Sequence, residues 1–288
     1  MFGKFHTDRH YLLRYLLTWC LVLGGVTAVL WQPPGDTGHA WLLAITVGLI
    51  ISARFDALLL SVVPAVLMTP APLTTVLWLV VLLPLTWTVG IWAAVFVHNA
   101  SHEQFRPRWL NRPLGELMCW ALRTNLMGWT LVHGYHHRYA DDPERDPHSP
   151  GRMTFWPYAN QMGRASYLYL DARHREAHGL PVAYYLLPGI AGLVSFALMP
   201  LSWLMLLGPT AFAAIWLPIL CTGWWLFTVI NFHTHPIGAD GHNHAVDLDG
   251  RGWHKAVNRI GFGVLHHAVH HRHAYAFDPR RAQTARSG

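Results

Sequence analysis

The sequence has few charged residues and almost no cysteine. Asp, Glu, Lys and Arg make up 12% of its 288 residues, against about 25% in an ordinary soluble domain. Its three cysteines, Cys20, Cys119 and Cys221, are scattered along the chain. Such spacing excludes a disulfide framework and a cysteine-based zinc or iron–sulfur site. A glycine-rich dinucleotide fingerprint is also missing, so no flavin or nicotinamide domain is expected.

The chain is instead rich in apolar residues. They make up 52% of the chain, and 15 of them are Trp. A membrane-spanning helix needs roughly 20 apolar residues, so the long apolar runs predict an all-α integral membrane protein. These runs are Tyr11–Trp31, Trp41–Met68, Leu73–Val97, Tyr184–Leu207 and Thr210–Ile230. No cleavable signal peptide is expected, because the first run has no small-residue cleavage site.

The net charge of +6 does not predict nucleic-acid binding, because the basic residues follow a membrane pattern. Ten Lys and Arg lie between residues 103 and 183, seven between 232 and 288, and three before residue 15. The short connectors near residues 32–40, 69–72 and 208–209 have none. Because cytoplasmic segments carry an excess of Lys and Arg, we predict that both termini and the middle segment are cytoplasmic.

If the N-terminus and the middle segment are both cytoplasmic, the chain must cross the membrane an even number of times between them. A break at Arg54–Phe55–Asp56 is predicted to divide Trp41–Met68 into two short helices, and a re-entrant hairpin would satisfy the same parity. We therefore predict one domain over residues 1–288 with about six transmembrane helices, four in residues 1–97 and two in the hairpin 184–231. Residues 98–183 and 232–288 are predicted to form a cytoplasmic, helical, histidine-rich cap.

The 21 histidines gather near the predicted cytoplasmic ends of these helices. HNASH places two histidines four residues apart, and HGYHH and HHAVHH contain an i, i+3, i+4 pattern, so each group shares one helical face. NFHTH follows the last span and supplies Asn231, His233 and His235. Neutral imidazole is the commonest protein metal ligand, and eight or nine of them exceed what one zinc ion uses. The groups predict two metal ions, with iron favoured over zinc, copper and nickel.

The order HxxxH, HxxHH, NxxxH, HxxHH, interleaved with membrane hairpins, resembles the membrane-bound fatty acid desaturase and hydroxylase superfamily. HNASHEQF, HGYHHRYADDPERDPH and NRIGFGVLHHAVHH are similar to its three histidine boxes, and the resemblance covers about residues 97–281. It implies a centre of two iron ions with O2 as co-substrate. The implied ligands are His98, His102, His133, His136, His137, Asn231, His235, His267, His270 and His271.

Several neighbours of these residues have more than one possible role. The additional His233 and His266 could each displace a neighbouring ligand. His242, His244 and His254 are expected in a solvated loop. Nearby carboxylates could orient ligating imidazoles or belong to an ordinary charged loop. These carboxylates are Asp141, Asp142 and Asp146.

The resemblance implies oxidation of an unactivated C–H bond in a fatty acyl or related lipid chain, most directly desaturation. Hydroxylation, or other oxidation of a lipid, alkane or carotenoid, is the alternative. A histidine-rich metal transporter is a more distant alternative. The ligands of a transporter would lie within the membrane spans, whereas these histidines are predicted at the ends of the spans. The oxidation needs two electrons, and we expect a separate ferredoxin, cytochrome or rubredoxin-type donor with its reductase.

Two further predictions concern local geometry. The middle segment is predicted to form interfacial helices along the anionic leaflet, and ordinary packing against the catalytic part is the alternative. Its residues of interest are Trp109, Leu110, Leu114, Leu117, Trp120 and Leu122, with Arg106, Arg108, Arg112 and Arg123. At about 100° per residue, a helix continuing through NFHTH places Asn231 and His235 on one face and points His233 elsewhere.

Overall fold

The computed structural model describes residues 2–32, 35–142 and 144–284. Over these residues the chain is mainly helical, and β pairing is limited to two isolated bridges, Ile237 with Asn243 and Asp247 with His266. The helices are α1 Phe2–Thr7, α2 Tyr11–Leu30, α3 Thr37–Ile51, α4 Phe55–Leu60, α5 Val62–Leu67, α6 Pro72–Ser101, α7 Asn111–Ala121, α8 Leu126–Arg138, α9 Phe155–His178, α10 Leu186–Ala211, α11 Leu217–His233, α12 Gly252–Ile260, α13 His267–Arg272 and α14 Pro279–Thr284. Short 3₁₀ turns cover Arg108–Leu110 and Val182–Tyr185, and a π-helical turn covers Phe212–Trp216.

Side-chain caps start two of the helices, α3 and α8. The Asp36 carboxylate accepts from the backbone N–H of His39 at 2.8 Å and starts α3. Asn125 caps α8 in the same way, through the N–H of Gly128 at 2.6 Å. Short polar side chains are favoured at this position because they satisfy N–H groups that have no partner within the helix.

Among the described residues, three helical segments are long and apolar enough to cross a membrane: Tyr11–Leu30, Pro72–Ser101 and Val182–His233. The last one changes direction at Gly208, whose backbone (φ 70°, ψ 166°) is not helical. Thr37–Ile51 and Phe55–Leu67 are apolar but shorter. A helix of 15 residues such as α3 reaches only about 22 Å, so the count of six spans stays a prediction.

The structure breaks the second apolar run close to the predicted site, between α3 and α4. The chain turns before Arg54, where Ala53 adopts a positive φ of 57°. The second half is itself divided at Ser61 into α4 and α5. Asn160 on α9 holds the turn through two hydrogen bonds to Asp56, each of 3.0 Å.

The α3 and α4–α5 segments connect two opposite faces of the molecule. Arg54 and Asp56 lie at the face that carries α9. The other ends of these segments line a shared cavity with the far ends of α2 and α10. Residues from all four ends contribute to that cavity: Leu30, Asp36, Met68 and Gly208.

Helices α6 and α11 pack closely and bring their carboxyl ends to one place. A Cβ on Gly90 would lie 2.6 Å from the Cβ of Thr222, so only glycine permits this approach. The first half of α6 is exposed, with Leu73 at 84%, whereas Ile91 and Val97 in its second half are fully buried. The buried half forms the wall from which the first histidines project.

Candidate metal centre

Four histidines from three helices form the group that we name group 1. His98 and His102 come from the end of α6, His133 from α8 and His270 from α13. One nitrogen of each ring lies within 4.8 Å of the others. The Nε2 atoms of His98 and His270 are 2.8 Å apart, and those of His102 and His133 are 2.9 Å apart.

Four further histidines form group 2, directly beside group 1. His136 lies on α8, His235 follows α11, and His267 and His271 are four residues apart on α13. One nitrogen of each ring again lies within 4.8 Å of the others. The Nε2 atoms of His267 and His271 are 3.0 Å apart.

His137 lies between the two groups. Its Nε2 is 3.0 Å from the Nε2 atoms of both His133 and His270. Its ring centroid lies 4.4 Å from that of His271 in group 2. The structure therefore brings all nine histidines of the predicted set together around neighbouring centres. These nine are His98, His102, His133, His136, His137, His235, His267, His270 and His271.

Asn231, the tenth predicted residue, is buried near this place but belongs to neither group. Its side-chain Nδ2 donates to the carbonyl of Phe227 at 2.8 Å. Its amide oxygen has no such bond and is the atom that can face a metal.

Burial favours the neutral form of most of these histidine rings. It lowers the pKa of His133, His136 and His267 well below the ordinary value, and nearby imidazoles lower it further. Burial also lowers the pKa of His102 to about 4 and, together with His235, that of His271 to about 3. A neutral imidazole is the form that binds a metal ion.

Several ring nitrogens have no hydrogen-bond partner among the described residues. They include Nε2 of His136 and of His235, and Nδ1 of His133 and of His267. Buried polar atoms without a partner are rare and are often explained by an ion or a water. Two sets of four imidazoles fit two divalent transition-metal ions, because such ions take nitrogen ligands of this softness.

Two carboxylates orient rings of group 2. Asp146 lies 2.8 Å from Nδ1 of His136, and Asp141 lies 2.8 Å from Nδ1 of His235. A carboxylate at Nδ1 favours the proton there and leaves Nε2 free to bind a metal. The third predicted carboxylate, Asp142, instead accepts from the backbone N–H of Glu144 at 2.9 Å.

The two carboxylates have different environments. Burial raises the pKa of Asp146 to about 7, against the opposing effect of the His148 backbone N–H. Burial raises the pKa of Asp141, but the hydrogen bond and charge of His235 and the backbone N–H of Ala245 together lower it further, so its pKa lies below the ordinary value. The side chain of Asp146 is fully buried, whereas that of Asp141 is 26% exposed.

The remaining predicted histidines lie outside both groups. His233 stacks on Phe155 with 6.0 Å between ring centroids, and His244 pairs with Asp240 at 2.8 Å on the surface. The others outside the groups are His242, His254 and His266. His266 is buried directly before α13, and its Nδ1 has no partner among the described residues.

His148 was missed by the sequence analysis. It is 2% exposed, and neither ring nitrogen has a partner in the described part of the chain. Its ring centroid lies 5.3 Å from that of His136. The available signal was its position two residues after Asp146, but it lies in a loop and has no helical spacing to the other histidines.

The middle segment divides its arginines between surface and interior. Arg106, Arg108 and Arg112 are exposed, and Trp109 beside them is 70% exposed. Exposure alone does not place these residues at a membrane, so the interfacial helices stay a prediction. Arg123 differs, because it is 4% exposed.

The sequence of the chain is similar to known proteins over the part that contains the site. The family model described as fatty acid desaturase matches residues 72–281. Delta-9 acyl-lipid desaturase 2 of Arabidopsis thaliana is 38% identical over 69 residues, 23% of this chain and 22% of that protein. The chloroplastic palmitoyl-monogalactosyldiacylglycerol delta-7 desaturase of the same plant is 41% identical over 68 residues, 23% of this chain and 18% of that protein.

A third relative from the same plant, delta-9 desaturase-like 4 protein, is 41% identical over 56 residues, 19% of this chain and 18% of that protein. The chain thus spans about a fifth of the length of the curated relatives it matches. No solved structure matches it.

Proposed function

Because this chain belongs to the fatty acid desaturase family, we propose that it is an oxidoreductase that introduces a double bond into a fatty acyl or related lipid chain. The reaction uses O2 and two iron ions. The observation that carries this proposal is the pair of four-histidine groups, buried side by side where the long apolar helices end.

We infer that each group holds one iron ion. Group 1 binds one ion, group 2 binds the other, and His137 between them reaches either. Asn231 contributes its amide oxygen, directly or through a water. Two bound iron ions would supply the O2 chemistry needed to remove hydrogen from an unactivated carbon.

The protein's own contribution is to orient the ligands and keep the site dry. Asp146 and Asp141 hold the rings of His136 and His235 with Nε2 toward the centre of group 2. In group 1, His133 stacks on Trp129 with 5.4 Å between centroids and 15° between planes. These contacts fix the rings before a metal binds, which lowers the cost of ordering them.

We propose that the site lies at the cytoplasmic surface of a membrane and that both termini face the same side. The support is the concentration of Lys and Arg in residues 103–183 and 232–288, because cytoplasmic segments carry such an excess. The α3 and α4–α5 segments connect the two faces of the fold, which supports six crossings. A cysteine at Gln32 should then react only with reagent added from outside, and one at Arg54 only from inside; the reverse result contradicts this topology.

Hydroxylation, or other oxidation of a lipid, alkane or carotenoid, would use the same residues. Small differences in substrate position decide between a second hydrogen removal and oxygen transfer. A metal transporter is disfavoured, because its ligands would lie at mid-membrane depth. His98, His102 and His235 lie at or beyond the carboxyl ends of α6 and α11, and the other six histidines lie on α8 and α13, outside the three long apolar segments.

We propose that the electrons come from another protein. The three cysteines of the chain are far apart in sequence, so they form no iron–sulfur site of their own. We propose a ferredoxin, cytochrome or rubredoxin-type donor with its reductase.

The proposal is tested by expressing the chain with such a donor and comparing the lipids and hydrocarbons of the host. New unsaturated products should appear only with O2 and should vanish in His136→Ala. His244→Ala is the matched control, because that histidine is exposed and outside both groups. Hydroxylated products would favour the alternative reaction. Unchanged lipids with folded, iron-loaded protein and an active donor would refute both, and metal uptake by intact cells would favour transport.

A further inference from the structure

A cavity of about 280 Å³ lies between α9, α10 and α11, next to the metal centre. Its wall is largely apolar and includes Leu193, Phe196 and Phe227. At one place it is lined by Trp129 and His148. Since Trp129 stacks on His133, the cavity adjoins group 1.

Arg123 also lines this cavity, and no described carboxylate pairs with it. It is 4% exposed, and no ion pair or side-chain hydrogen bond joins it to another residue in the described part of the chain. Its guanidinium carbon lies 5.2 Å from the ring centroid of Phe196 and 5.1 Å from that of Trp224. Burial lowers its pKa to about 10, so it is still a cation at neutral pH.

A buried cation without a partner is unfavourable. The two aromatic faces compensate part of this cost through cation–π attraction. The guanidinium still has five N–H donors in a planar fork, a geometry that matches a carboxylate or a phosphate. An anion in the cavity would satisfy both the charge and the donors.

The backbone at Arg123 also disfavours an arginine. The N–H of Thr124 donates to the carbonyl of Cys119 at 2.9 Å, and that of Arg123 to the carbonyl of Trp120 at 3.4 Å. This is the helix ending in which glycine usually occupies the left-handed position. Arg123 occupies this position with φ 49°, although the local backbone conformation favours glycine there.

We propose that this cavity binds the anionic end of an amphiphile, a carboxylate or a phosphate, at the Arg123 guanidinium. The apolar chain of the amphiphile lies against Phe196 and Phe227 toward Trp129. Hydroxyls of Thr124, Ser166 and Tyr167 and the exposed Arg164 line the same cavity and offer further donors. Only the identification of this amphiphile with the substrate rests on the proposed function.

Binding is tested on the purified full chain in detergent, without turnover, using decanoate, decyl phosphate and decanol. A hydrogen-bonded ion pair in a buried site should make at least one anion bind about tenfold or more tightly than the alcohol. Decanoate and decyl phosphate distinguish a carboxylate from a phosphate source. Equal affinity for all three compounds would overturn the proposal.

Variants assign the preference to Arg123. Arg123→Gln should lose the preference for the anion, and Arg123→Lys should keep part of it. Arg108→Gln, at an exposed arginine outside the cavity, should not change it. A preference that persists in folded Arg123→Gln would overturn the assignment.

A measurement on the unaltered protein covers the case in which Arg123→Gln does not fold. Modification of arginines by phenylglyoxal, mapped by mass spectrometry, should be slowed at Arg123 by the preferred anion and not by decanol. No protection at Arg123 would overturn the proposal. A chain that fails to oxidise lipids but shows this protection would refute the proposed reaction and leave the binding site standing.

Discussion

Groups 1 and 2 hold their rings in different ways. In group 2, His136 and His235 are fixed through Nδ1 by Asp146 and Asp141. In group 1, the Nε2 atoms face one another at 2.8–2.9 Å, and no carboxylate bonds these rings within the described residues. Packing takes that role there, chiefly the stacking of Trp129 on His133.

The difference indicates two ways of preparing a metal site from the same side chain. A carboxylate fixes both the tautomer and the ring plane, whereas stacking fixes only the plane. Group 2 should therefore depend strongly on residues that never touch the metal. Group 1 should be insensitive to the same substitutions, which makes it an internal reference.

Asp146→Asn should have the largest effect of these substitutions. It keeps the size of the side chain but removes the charge that holds the Nδ1 proton of His136. We expect the affinity of the group 2 ion to fall about 10–100-fold, while group 1 keeps its ion. Iron titration against a competing chelator measures both sites. Asp142→Asn is the control, because Asp142 caps a turn and bonds neither ring.

An equal loss of iron from both groups in Asp146→Asn would contradict this division, since it would mean that the carboxylate stabilises the fold as a whole. Thermal unfolding of the metal-free variant separates these cases. The free energy of unfolding of the metal-free variant should change less than the free energy of iron binding at group 2.

Asp141→Asn should have a smaller effect in the same direction. The Asp141 side chain is 26% exposed, so a water can replace part of its bond to His235. We expect about a tenfold loss of affinity in group 2, at the low end of the range for such residues, by the same titration. A loss of affinity larger than that in Asp146→Asn would show that the exposure of the carboxylate does not determine which substitution weakens iron binding more.

The sequence predicted the histidines of the site better than their surroundings. An i, i+3, i+4 spacing defines one face of a helix wherever that helix packs, so His133, His136 and His137 could be identified from the chain alone. The places of His148 and Arg123 could not. Both lie in connections between helices, and their burial depends on α9, α10 and α11 packing over them.

The membrane part shows the same limit. Apolar runs predicted α2, α6 and the α10–α11 region closely. They could not fix whether α3 and α4–α5 span a bilayer, because both are shorter than its roughly 30 Å core. Their depth depends on the neighbouring helices rather than on their own length.

His233→Ala should have the smallest effect, although His233 is only two residues from His235. The predicted helix through NFHTH ends at His233 rather than continuing to His235. Thr234 still donates to the carbonyl of Ile230 at 3.0 Å, so the helical rotation persists for one more residue.

His233 is thereby turned toward Phe155, away from both groups. Because His233 is exposed, His233→Ala should lower the free energy of unfolding by about 0.5 kcal/mol or less. The iron content and the amount of product should stay near those of the unaltered chain. His235→Ala, measured beside it, should lose the group 2 ion and the product. Greater iron loss in His233→Ala than in His235→Ala would show that the metal-bound chain rearranges after α11 and that Asp141 does not define the ligand there.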